Sequence, residues 1–230
     1  MSIEPIVIVF DVNETLSDMS PMAGRFADVG VPELMAKIWF AGLLRDGFAL
    51  TAAGSSEKFS VIAAESLHET LTGFPLNRSI EEAVDHITHG FASLGLHPDV
   101  VGAVRALKAS GFRLATLSNG PTQVAEKLFR ATGIREEFEM LLSVEDAPGW
   151  KPSRAAYEYA ANACGVEPDR MLLAAVHPWD IHGAVRAGLR TAWINRTGDS
   201  YPRYFNAPDI TILDLEGLAS ILTTDAGHPA

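Results

Sequence analysis

Apolar and polar positions along this chain fall into two regimes. Residues Ile6-Val7-Ile8-Val9-Phe10 are apolar without a break and stop at Asp11. An unbroken, largely β-branched run of this length reads as a strand buried on both faces, as in a parallel sheet. Comparable runs lie at 114–117, 140–144, 171–176, 191–194 and 210–213. Between them come helical patterns at 100–110, 122–132, 154–164 and 181–187. Gly111, Gly133, Gly165 and Gly188 each follow one of these helices, where a left-handed C-cap is wanted. Strand, helix, glycine and strand in repetition predict an α/β fold, a doubly wound and mainly parallel sheet of Rossmann-like type.

The stretch from Ser17 to His97 breaks this rhythm. It has almost no strand-like runs and is helical in pattern, at 32–46, 55–72 and 79–94. The expected organisation is therefore an α/β core domain over 1–16 and 98–230, with a helical cap domain inserted over 17–97. No internal repeat or low-complexity stretch interrupts it, and residues 223–230 read as a loose tail.

Composition narrows the partners. Hydrophobic residues make up 47 % and charged residues 20 %, ordinary for a chain with a substantial buried core. A net charge of −11 without clustered Lys and Arg argues against nucleic acid. It also means that a small anionic substrate would be repelled by the protein as a whole, so its site must carry local positive potential. The single cysteine, Cys164, rules out an internal disulfide and fits a reducing compartment. The apolar run at the N-terminus is too short for a signal peptide or a membrane span. A cytoplasmic location without membrane association is expected.

In open α/β sheets ligands bind at the carboxyl ends of the strands. Just past the first run stand Asp11-Val12-Asn13-Glu14-Thr15-Leu16, and past the second Ser118-Asn119-Gly120. Lys151-Pro152 lies in the loop after the third, and His177-Pro178-Trp179-Asp180 follow the fourth. Two carboxylates, a lysine and a hydroxyl–amide pair are thus drawn to one edge. A carboxylate there is a competent nucleophile, forming an ester or acyl-phosphate and splitting one hard step into two. Lys151 would lower the pKa of Asp11 and keep it charged. Ser118 and Asn119, at a helix entry, can hydrogen-bond an anion, and Asp180 can activate water. Glu14 reads as a turn residue, and His68, His86, His89 and His97 lack metal-ligand spacing.

These segments resemble the four motifs of the haloacid dehalogenase superfamily, in order and over essentially the whole core. The helical insert and Trp193-Ile194-Asn195-Arg196-Thr197-Gly198 are similar to its (S)-2-haloacid dehalogenase (type II) branch. The resemblance implies that Asp11 attacks C2 of a short 2-haloacid, releasing halide, leaving an aspartyl ester and giving the 2-hydroxyacid with inversion. It implies that Thr15 and Ser118 orient Asp11 or bind the substrate carboxylate, and that Asn119 and Trp179 cradle the halide. Tyr157 matches a further site position. No metal and no cofactor are implied, and the expected assembly is a homodimer formed through the cap.

The chain departs from the pattern in places. The cap arginine that receives halide in this branch would follow Trp39, where Phe40 stands. His177 replaces an asparagine, and Ala175 a serine. His177 is therefore expected to supply positive charge or to activate water. The alternatives are a magnesium-dependent phosphatase of the same superfamily and a catalytically weak binding relative. Against the first, Asn13 stands where phosphatases carry their general-acid Asp, and Ala175 where they carry a further acidic metal ligand. Against the second, Asp11, Lys151 and Asp180 are all retained.

Overall fold

The computed structural model describes residues 7–225; Ile6 and residues 226–230 of the expected tail lie outside the described residues. Six parallel strands form one sheet in the order β3-β2-β1-β4-β5-β6, with β1 Val7–Phe10, β2 Arg113–Ser118, β3 Met140–Ser143, β4 Met171–Ala175, β5 Arg190–Ile194 and β6 Ile210–Ile212. β1 is central, with Phe10 in register with Thr116 on one side and Ala174 on the other. The chain winds outward from β1 to β3, then crosses back to β4. Strand order therefore reverses between β1 and β4, the place where such sheets open a crevice.

Alternation along β1 feeds two separate cores. Val7 and Val9 face helices α7 (Arg154–Cys164) and α8 (Pro178–Ala187), whose Ala156, Ala160, Ile181 and Ala184 are buried. Ile8 and Phe10 face α5 (Val100–Ala109), α6 (Thr122–Ala131) and α9 (Leu215–Asp225). Both faces are covered, which is why the strands read as unbroken apolar runs. The glycine signal also holds: Gly165 and Gly188 end α7 and α8 at φ 65° and 94°, a left-handed conformation that costs glycine nothing.

Between β1 and α5 the chain forms four helices, α1 (Met22–Ala27), α2 (Met35–Ala52), α3 (Phe59–Leu71) and α4 (Ile80–Phe91). Ser79 starts α4 with a capping box, its Oγ accepting from Glu82 N–H while the Glu82 carboxylate accepts from Ser79 N–H. The chain leaves and returns through a paired neck: Asp18 N–H donates to Gly95 O at 2.8 Å and His97 N–H to Leu16 O at 3.0 Å. Buried residues of these helices, among them Phe26, Trp39, Phe40, Leu43 and Phe91, belong to the same apolar cluster as Val7 and Val9.

Two elements differ from the sequence reading. Helix α8 begins at Pro178 rather than near residue 181, because proline's fixed φ and missing N–H suit a first helical turn. Trp179 and Asp180 consequently sit on that turn. Helix α9, at 215–225, was not anticipated and takes in the start of the expected tail. Among the described residues no helix is long and apolar enough to cross a membrane.

Close approach of α8 to α7 requires Gly183. A Cβ there would lie 2.5 Å from Tyr157 Oη, 2.6 Å from Pro152 Cβ and 2.9 Å from Pro152 O. Gly183→Ala is expected to destabilise the protein by roughly 1–3 kcal/mol, seen as a fall of several degrees in Tm. An unchanged Tm would mean that α8 has slack to move away from the loop carrying Lys151.

Candidate active site

Because every strand is parallel, the segments following β1, β2, β3 and β4 emerge at one edge of the sheet. The centre of that edge is Lys151. Its Nζ donates to Asp11 Oδ1 at 2.9 Å and to Asp180 Oδ2 at 2.6 Å, and the Lys151 and Asp180 side chains have no exposed surface. The other Asp180 oxygen, Oδ1, accepts from Tyr157 Oη at 2.6 Å. Asp180 is thereby spent on both sides, and the fully buried Tyr157 is part of the constellation.

The second oxygen of Asp11 is held as well. Thr15 Oγ donates to Asp11 Oδ2 at 2.7 Å and accepts from Val176 N–H at 3.1 Å, which orients its hydroxyl. His177 Nδ1 lies 3.2 Å from the same Oδ2, and its Nε2 lies 2.7 Å from Glu14 Oε2. The imidazole also stacks on Trp179, with centroids 4.9 Å apart, and Trp179 meets Phe48 edge-on.

The charges follow from these contacts. Burial acts to raise the pKa of Asp11, but Lys151 and His177 outweigh it and hold the carboxyl well below the usual range. Burial likewise disfavours the Lys151 ammonium, and the two carboxylates overcome it and raise its pKa. For Asp180 burial prevails over the pull of Lys151, leaving its pKa above the ordinary value. Tyr157 is pushed well up by burial and by the Asp180 charge, so its phenol stays protonated and donates. Burial would lower His177, yet hydrogen bonds and charge from Asp11 and Glu14 push it up to about 9. At neutral pH the imidazole is a cation donating from both nitrogens. Lys151 and His177 are the cations that meet Asp11, and each is set between two carboxylates.

The remaining expected residues divide. Asn119 is buried, and its amide brackets the Lys151 backbone, accepting from Lys151 N–H at 3.0 Å and donating to Lys151 O at 3.3 Å. Ser118 is buried with its Oγ accepting from Gly120 N–H, and no direct bond to Asp11 forms. Asn13 is buried and lines a small cavity of about 150 Å³ with Val12, Ser17 and Phe91, away from His177. Phe40, on α2, packs against Trp39 and Phe91 and lines a cleft of about 870 Å³ that His177 and Glu14 also border. Arg45, five residues beyond Phe40 on α2, is 69 % exposed and paired with Asp46, whereas Lys37, three residues before Phe40 on the same helix, lines this cleft.

Two contributors escaped the sequence reading. Glu14 is more than a turn residue: its backbone takes φ 62°, unusual for a residue with a side chain and costing on the order of 1–2 kcal/mol, and its carboxylate meets His177. Arg196 NH2 donates to Thr15 O at 3.0 Å, while NH1 meets both oxygens of Asp99 at 3.0 Å. Nothing in local sequence marks Glu14 as the partner of a histidine 163 positions away. Arg196 stands inside a segment that already resembled the dehalogenase branch.

Residues 7–188 match the haloacid dehalogenase-like hydrolases, and the chain belongs to that family. It is 30 % identical over 223 residues to haloacetate dehalogenase H-2 of Moraxella sp. (strain B), covering 94 % of this chain and 96 % of that one. To the (S)-2-haloacid dehalogenase of Pseudomonas sp. (strain YL) it is 28 % identical, covering 96 % and 95 %. A crystallised L-2-haloacid dehalogenase, 26 % identical, superposes with a TM-score of 0.89 over 96 % of this chain and 99 % of that chain.

The raised pKa of His177 ties stability to pH. A histidine whose folded pKa, about 9, exceeds its ordinary 6.5 contributes stability that is complete below 6.5 and is lost as pH rises through 9. Denaturant titrations at about pH 6 and about pH 10 should show the wild type losing more than His177→Gln, by on the order of 3 kcal/mol at most. Equal losses would mean that His177 is neutral in the folded protein.

Proposed function

We propose that this protein hydrolyses the carbon–halogen bond of short 2-haloacids through an ester on Asp11. What carries the reading is the Asp11 carboxylate, held ionised at the end of β1 by Lys151 at 2.9 Å, in a chain matching haloacid dehalogenases along nearly its whole length. Residues 17–97 act as the cap, with Phe40 and Phe48 closing apolar surface over the site and limiting water there.

In the first step an Asp11 oxygen attacks C2 of the substrate. The carbon–halogen bond breaks, halide leaves with the bonding pair, and C2 inverts. Thr15 and Lys151 hold the nucleophile in place, and the cationic His177 attracts the substrate carboxylate or the departing halide, replacing the charge absent at Phe40. Asn119 and Trp179 act indirectly, Asn119 by fixing the Lys151 backbone and Trp179 by stacking on His177.

In the second step water attacks the ester carbonyl of Asp11. Asp180 is poorly placed to activate this water, since Lys151 and Tyr157 occupy its two oxygens. His177 is better placed. Once Asp11 is esterified its negative charge is gone, and the imidazole loses one of the two carboxylates that keep it protonated. Its pKa falls, the Nδ1 proton leaves to solvent, Nε2–H goes on donating to Glu14, and Nδ1 becomes a base facing the ester. Water gives a proton to Nδ1 as its oxygen bonds to the Asp11 Cγ, the Cγ–O bond to the 2-hydroxyacid breaks, Nδ1–H protonates the departing alkoxide, and the new Asp11 carboxyl returns its remaining proton to Nδ1. The base thus appears only when an intermediate exists to be hydrolysed.

The test is halide release from each enantiomer of 2-chloropropionate by purified protein, with chelator present, and a parallel assay of a phosphate ester with Mg²⁺. Halide from one enantiomer, lost in Asp11→Asn, is expected. Replacing His177 with Ala should slow turnover by about 10²–10⁴-fold and let ester-labelled protein accumulate, visible by mass spectrometry. Magnesium-dependent phosphate release without halide would replace the proposal by a phosphatase.

A further inference from the structure

The ammonium of Lys151 can bridge Asp11 and Asp180 only if its backbone is held in place, and it is gripped from two sides. On the core side the Asn119 amide takes both of its backbone groups. On the other side the preceding residue, Trp150, is 1 % exposed and enclosed by residues 47–59 of the helical insert. Its backbone N–H donates to Thr51 Oγ at 3.0 Å, and its indole N–H donates to Glu57 O at 3.2 Å. The indole stacks on Phe59 with centroids 6.0 Å apart and planes 13° apart. Gly47 makes room for it, since a Cβ there would come within 2.4 Å of the ring. Phe59 is itself tied to the core, its N–H donating to Glu145 Oε1 at 3.1 Å.

We propose that Trp150 is a positioning residue that couples the seating of the helical insert to the placement of Lys151. The indole fills a slot whose walls are α2, the 53–58 loop and the start of α3, so it stays buried only while that part of the insert is docked. If the insert lifts, the Trp150 N–H loses Thr51, a large aromatic surface meets water, and the adjoining Lys151 backbone keeps only its Asn119 bonds. The bridge between Asp11 and Asp180 is then complete only beneath a docked insert, and the nucleophile is aligned in the state from which water is excluded. The role of Lys151 in turnover rests on the function proposed above; the coupling itself does not.

The experiment uses the full chain as Trp150→Ala, Trp150→Phe and Thr51→Val, each at a temperature where circular dichroism shows it folded. Acetic anhydride labelling with peptide mass spectrometry reads the exposure of Lys151 against the exposed Lys127 as internal standard. Lys151 labelling should rise at least about tenfold in Trp150→Ala and less in Thr51→Val, with Trp150→Phe close to wild type because its ring still fills most of the slot. In parallel kcat for 2-chloropropionate should fall by up to about 10²-fold in Trp150→Ala, more than KM changes, and recover largely in Trp150→Phe. A folded Trp150→Ala with unaltered labelling, or with raised labelling but unaltered kcat, overturns the coupling. If Trp150→Ala does not fold, Thr51→Val decides by the same two readings. If the wild type releases no halide but the labelling pattern holds, the coupling stands and the proposed reaction falls.

Discussion

A lysine ammonium without solvent contact, placed between two carboxylates, is the constraint on which the rest of this structure depends. Taking such ions out of water costs several kcal/mol apiece, recovered only when geometry and hydrogen bonding are near ideal. Here Lys151 spans Asp11 and Asp180 at 2.9 and 2.6 Å, and Tyr157 and Thr15 occupy further carboxylate oxygens. These five groups come from four parts of the chain: Asp11 and Thr15 from the segment after β1, Lys151 from the loop after β3, Tyr157 from α7 and Asp180 from the first turn of α8. Loss of Lys151 would leave two buried carboxylates without their cation. The packing of Gly183 against Tyr157 and Pro152, and the start of α8 at Pro178, serve that convergence.

The same constraint divides labour between the two aspartates. Asp180 is fully buried and held by Lys151 on one oxygen and Tyr157 on the other, so it stabilises the ammonium. Asp11 keeps a second oxygen that faces Thr15 and His177, and its neighbours hold it ionised. In the proposed reaction His177, bound to both Asp11 and Glu14, is a cation while Asp11 is charged and a base once that charge is consumed. Placing Glu14 at positive φ costs about as much as one ordinary hydrogen bond contributes. The strain is tolerated where it orients a charged partner of the reacting group.

The cations that meet Asp11, Lys151 and His177, come from the core, and α2 presents Phe40 and Lys37 to the cleft. The insert contributes apolar walls and, through the slot around Trp150, a mechanical link to the loop that carries Lys151. In the coupling proposed here, exclusion of water and alignment of Asp11 are two results of one docking contact.

Much of the fold was legible in the sequence. Strands buried on both faces appear as unbroken apolar runs, and a helix ending in a left-handed residue shows its glycine. The parallel sheet, its order of elements and the helical insert follow from such local rules, as does the edge at which Asp11, Ser118, Lys151 and Asp180 gather. Motif resemblance added the family. Helix starts were less legible: Pro178 suits a first turn as well as a loop, and the helix at 215–225 has a modest apolar pattern. Pairwise contacts were not legible at all. Only the tertiary structure decided that Asp180 meets Tyr157 as well as Lys151, that Ser118 turns to Gly120, that Glu14 meets His177, and that Trp150 is held by residues 47–59. Those facts depend on distances between segments far apart in the chain, and side-chain pairing across such separations is set by packing rather than by local propensity.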